Sequence, residues 1–77
     1  QKNLDRQRAI AEKEIQQAKS SLDFARESYA KDQELAKQGA LPQRNARESQ
    51  TRFTQAQAEY SRAESRLAVS EAQAQLE

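Results

Sequence analysis

The sequence predicts an all-α protein, an antiparallel two-helix coiled-coil hairpin, and three observations predict it. Apolar residues recur at alternating spacings of four and three on both sides of the chain's midpoint. The single glycine and the single proline, Gly39 and Pro42, stand together near that midpoint. The rest is rich in Ala, Gln, Glu, Arg and Lys, residues that form long helices at little entropic cost.

The first helix is expected over about 2–38, the turn over 39–42 and the second helix over about 43–76, a single hairpin. In the first half Ala11, Ile15, Ala18, Leu22, Ala25 and Tyr29 form a heptad seam, and Phe53, Ala56, Tyr60, Ala63, Leu67, Ser70 and Ala74 form its counterpart. At 1.5 Å per residue each helix is roughly 50 to 57 Å long. Within each seam, large and small residues alternate. Ile15, Leu22 and Tyr29 share one heptad position, as do Phe53, Tyr60 and Leu67. The other position holds Ala11, Ala18 and Ala25, matched by Ala56, Ala63 and Ser70. Folding at the turn is expected to set large residues against small ones, which fills space without voids. Two alignments do this. One pairs Tyr29 with Ala56, Tyr60 with Ala25, Leu22 with Ala63 and Leu67 with Ala18; the other pairs Tyr29 with Ser49, Phe53 with Ala25 and Leu22 with Ala56. A parallel pairing of separate straight helices is the competing architecture, and the short turn favours antiparallel neighbours.

The turn has its own chemistry. Gly39 suits the left-handed residue just past a helix, with Leu35 and Ala40 as the accompanying apolar contact. Lys37 places a cation where the helix dipole favours one. Pro42 is tolerated in the first turn of the next helix, where its missing N–H costs nothing. No Ser, Thr, Asp or Asn precedes it as an N-cap, so that helix starts poorly capped.

Charges fall mainly off the seam. Glu27–Lys31, Glu48–Arg52 and Lys19–Asp23 have the i,i+4 spacing, each worth only about 0.2–0.5 kcal/mol. Arg8 and Asp32 break the seam. Asp32 lies where the seam is expected to open near the turn, weakening the two-helix core locally and leaving a polar group to address another protein.

Composition closes off several functions. Only 35% of the 77 residues are hydrophobic and 32% are charged, so a core of ordinary depth is out of reach. Without Cys or His there are no disulfides and no zinc site of the usual kind. No His base, Cys nucleophile or glycine-rich phosphate loop is present, and carboxylates such as Glu12, Glu14, Glu64 and Glu71 are spread over an exposed surface. No catalytic residue, metal or cofactor is expected. Arg44, Arg47 and Arg52 gather after the turn, but acids nearly balance bases at a net charge of +1 and no stacking aromatics accompany them, which argues against nucleic acid. Disorder is opposed by the same low net charge and by the periodic seam. No apolar run approaches the ~20 residues of a membrane span. The chain begins without Met and its helical pattern reaches both ends, as expected of an excerpt from a longer protein.

The stretch LAKQGALPQRNARESQ, residues 35–50, followed by the Ala- and Gln-rich FTQAQAEYSRAESRLAVSEAQAQLE, resembles the hairpin of periplasmic membrane fusion proteins, the adaptors of the HlyD/AcrA type. In that family the first helix ends with Leu and often Gly, then a small residue and an aliphatic, as Leu35, Gly39, Ala40 and Leu41 do here. The family's tip motif is Arg, three residues, Leu, six residues, Ser. Lys31, Leu35 and Pro42 occupy those positions, so the Leu matches, Lys keeps the charge without the planar fork of Arg, and Pro lacks the hydroxyl.

The resemblance implies a periplasmic hairpin whose parent is anchored at the inner membrane and works in efflux or type I secretion. It implies self-association side by side into a ring or tube, docking of the tip (Lys31, Leu35, Gly39, Leu41 and Pro42) to a TolC-like outer-membrane channel, and engagement of an inner-membrane transporter by the rest of the parent. The alternative is a purely structural coiled-coil hairpin of a cytoplasmic or scaffold protein.

Overall fold

A computed structural model describes residues 2–76. It contains two α-helices, α1 (Lys2–Lys37) and α2 (Gln43–Leu76), and no strand among the described residues. They lie antiparallel along a rod of 58 × 14 × 11 Å. A straight helix of this many residues would be about twice as long at 1.5 Å per residue, so the chain is a hairpin and not one continuous helix.

The turn ends α1 as its sequence requires. Gly39 adopts a φ of 77°. Its N–H bonds the Ala36 carbonyl at 3.1 Å, and the Ala40 N–H reaches back to the Leu35 carbonyl at 2.9 Å. This is the Schellman ending, which satisfies two carbonyls the helix leaves free. Gln38 belongs to the turn, although its N–H still bonds the Glu34 carbonyl at 3.2 Å. At the other side Pro42 stands just before Gln43, and its carbonyl accepts from the Asn45 N–H at 3.0 Å. The first turn of α2 carries no acid, whereas α1 has Asp5 in its first turn and Lys37 in its last. Nothing lies within 4 Å of a Cβ built on Gly39. Gly39→Ala is therefore expected to cost about 1–2 kcal/mol through the left-handed backbone alone. The urea midpoint followed by circular dichroism checks this, with Gly39→Asn falling by less.

The alignment differs from both that the seam predicts. The Tyr29 and Phe53 rings stack with centroids 5.9 Å apart. One heptad nearer the turn-distal end on each helix, this pairing carries to Leu22 with Tyr60, then to Ile15 with Leu67. The Ser49 hydroxyl donates to the Asp32 carboxylate. The same steps carry that pair to Ala25 with Ala56, Ala18 with Ala63 and Ala11 with Ser70. Ala18 and Ala63 are both buried and line one groove; Ala11 and Ser70 line another. Large residues thus face large, and small face small.

A polar contact opposes the large-on-small packing. The turn is centred between Ala40 and Leu41. The observed alignment gives Asp32 the Ser49 hydroxyl as a donor. Ser49 is only 1% exposed, and a buried polar group left unpaired costs about 1–3 kcal/mol. Asp32, which its position marked as a break in the seam, joins a polar layer closed by Ser49. The Arg52 guanidinium donates to Ser49 Oγ at 3.4 Å and extends that layer.

The resulting core is thin. Among the described residues the buried apolar side chains are Leu22 and the alanines at 11, 18, 36, 46 and 63.

Candidate partner-contact surfaces

Two surfaces remain once the seam is closed: the tip and one flank. At the tip the Schellman ending fixes the chain direction. It leaves Leu35 and Leu41 half-buried and Lys31, Gly39 and Pro42 exposed. The turn therefore brings Leu35, Gly39, Leu41 and Pro42 together at one end of the rod. Lys31 stands apart from them, two helical turns back from Gln38.

The flank was not read from the sequence. With the large seam position labelled a and the small one d, residues one before d occupy position c. Ile10 and Phe24 are c residues of α1, and Val69 and Leu76 are c residues of α2. In an antiparallel pair the c positions of both helices fall on the same side of the seam. Ile10 and Val69 indeed line a common open groove of about 440 Å³, with Gln7, Ala11, Glu14 and Arg66 around them. These four are also the large apolar residues that the hairpin leaves exposed, Phe24 at 73% and Leu76 at 86%. Lys31 occupies the same heptad position one repeat beyond Phe24. The opposite flank carries no exposed large apolar side chain among the described residues. Its b positions, one after a, include Ala9, Ala30 and Ala68. A period-seven count of apolar residues outside the seam would have exposed this asymmetry.

Charges border the apolar flank. Arg66 bridges the helices, bonding Glu14 of α1 at 2.6 Å and Glu59 of its own helix at 3.6 Å. Glu59 also meets Arg62 at 2.6 Å. A further ion pair among the described residues is Arg26–Asp23 at 3.5 Å, and Arg26 lies 5.8 Å from the Phe53 ring centroid. None of the three expected i,i+4 pairs is among the ion pairs of the described residues. Exposed pairs of this kind are weak, and other partners are taken instead: Arg52 turns to Ser49, and Asp23 to Arg26.

The hydrogen bond and charge of Arg62, then the charge of Arg66, hold the Glu59 carboxyl below its ordinary value. A depressed carboxyl stabilises the fold at pH above its unfolded value, about 4.3, and that contribution disappears as pH falls through the lower folded value. The drop in melting temperature from pH 6 to pH 3 is accordingly expected to be smaller for Glu59→Gln than for the parent chain, as thermal circular dichroism would measure. Among the described residues no cluster of acids has the makings of a metal site, and no helix is long and apolar enough to cross a membrane.

Compared with family models, curated proteins and solved structures, the chain finds no match.

Proposed function

We propose that this hairpin is the protein-contact arm of a periplasmic adaptor in a tripartite efflux or type I secretion system. Its tip docks to a TolC-like outer-membrane channel. The observation that carries the reading is the tip itself, where a rigid Schellman turn presents Leu35 and Leu41, half-exposed, at the end of a rod 58 Å long. Small apolar groups held on a fixed backbone lose little entropy on docking, which suits a contact made end-on. The role is binding and not catalysis, and the inner-membrane transporter is engaged by other parts of the parent.

Self-association side by side is the second part of the proposal, and the two unlike flanks support it. An apolar flank packed on the opposite flank of the next copy makes a heterologous contact, the kind that closes into rings. Ile10 and Val69 of one copy stand level with Ala9 and Ala68 of a parallel neighbour, so large side chains meet small ones.

The test is export in cells carrying the full-length parent. Leu35→Ser with Leu41→Ser is expected to lower export at least about tenfold, the effect of losing some 1.4 kcal/mol of contact energy, while leaving helicity unchanged. Export at the parental level would reduce the hairpin to a structural coiled coil.

A further inference from the structure

We infer that the Asp32–Ser49 hydrogen bond is a register lock, selecting one of three alignments that the apolar seam alone does not distinguish in favour of the one observed. The seam by itself prefers the others. In the present alignment Tyr29 lies on Phe53 and Ala18 beside Ala63. A slip of one helical turn, about 5.4 Å, in either direction would place large residues over small ones throughout.

The turn can follow either slip. The present apex lies between Ala40 and Leu41. One slip moves it to Gly39, which already holds a left-handed backbone; the other moves it to Pro42, which already ends helical hydrogen bonding on its N-terminal side. Each displaced apex thus falls on a residue that breaks helices.

The polar layer cannot follow. Slipped one way, Asp32 would face Phe53 and Ser49 would face Ala36. Slipped the other way, Asp32 would face Ala46 and Ser49 would face Tyr29. Both slips break the bond from Ser49 to Asp32. Arg52 would also lose its link across the layer through Ser49. A polar pair inside a coiled coil is a known means of fixing register.

Register also decides which residues stand at the apex, so the lock sets how Leu35 and Leu41 are displayed. That consequence rests on the adaptor reading; the lock itself does not, and its test makes no use of export.

Intramolecular cross-linking of the full chain reads the register directly. A18C/A63C reports the present alignment, A18C/L67C one slipped alignment and A18C/Y60C the other. With Asp32 and Ser49 intact, only A18C/A63C is expected to close. Adding D32A/S49A should shift the ratio of A18C/A63C closure to closure of a slipped pair by about tenfold, the scale of a lost hydrogen bond to a charged group. The exchanged pair D32S/S49D should restore the original pattern. The lock is overturned if D32A/S49A closes A18C/A63C alone, if the exchange fails to restore it, or if D32A/S49A abolishes helicity, since the pair would then hold the fold and not choose its alignment.

Discussion

Leu22→Ala should unfold much of this hairpin, whereas Phe24→Ala, two residues away, should leave its stability nearly unchanged. Leu22 is 7% exposed and is, among the described residues, the one large side chain in a buried apolar set otherwise made of alanines. Truncating a buried leucine costs about 2–5 kcal/mol, combining lost transfer energy with the cavity left behind. Whole domains have stabilities of about 5–15 kcal/mol, and a pair of helices without a third layer belongs at the low end. The substitution therefore removes a large fraction of what holds the helices together. Phe24 stands on the apolar flank at 73% exposure, and surface substitutions of that kind usually stay within about 0.5 kcal/mol. Urea unfolding of the two variants, followed at 222 nm, makes the comparison. Equal midpoints would mean that the seam is not where the stability resides.

The opposite ranking is expected for association between copies. Phe24→Glu with Val69→Glu should abolish side-by-side packing while Leu22 and the rest of the seam keep the hairpin helical. Burying a large apolar side chain contributes about 1.5–3 kcal/mol. Losing two such contributions, and adding two carboxylates that must be desolvated, weakens association by at least about a hundredfold on the scale of 1.4 kcal/mol per decade. Sedimentation equilibrium of the parent chain and the variant over a range of concentrations measures it. Unchanged association would show that this flank is not the contact between copies, and would leave the tip proposal standing on its own.

These predictions separate what each level of description supplies. The fold class was legible because two strong signals agree. The alternation of threes and fours from Ala11 to Tyr29 and from Phe53 to Ala74 is a one-dimensional pattern, and Gly39 with Pro42 interrupts it once. Both act through local backbone preference and side-chain period, so no knowledge of the partner helix is needed. The ending at Gly39, with Ala40 bonded back to Leu35, was readable for the same reason. That Leu35, Gly39, Leu41 and Pro42 gather at the turn was readable as well, whereas Lys31 lies on the flank.

The alignment was not legible in this way. The pattern of large and small residues scores each layer by volume, and by volume the two slipped alignments are better. What decided between them is a bond between Asp32 and Ser49, residues from opposite helices. In the sequence Asp32 is only a defect in the seam. Its partner becomes apparent once the turn has brought α2 back alongside.

The apolar flank has a related origin. Ile10, Phe24, Val69 and Leu76 are scattered singly along the chain, and isolated surface apolars need no explanation. They become one surface because the two helices run antiparallel and put the same heptad position on the same side. The amino-acid sequence by itself determined that this protein is a pair of long helices folded back at Gly39, since helix formation and termination are local. Only the tertiary structure decided which residues stand level, which polar group is satisfied and which flank is left apolar, because those depend on the relative height of the two helices, a quantity no local pattern encodes.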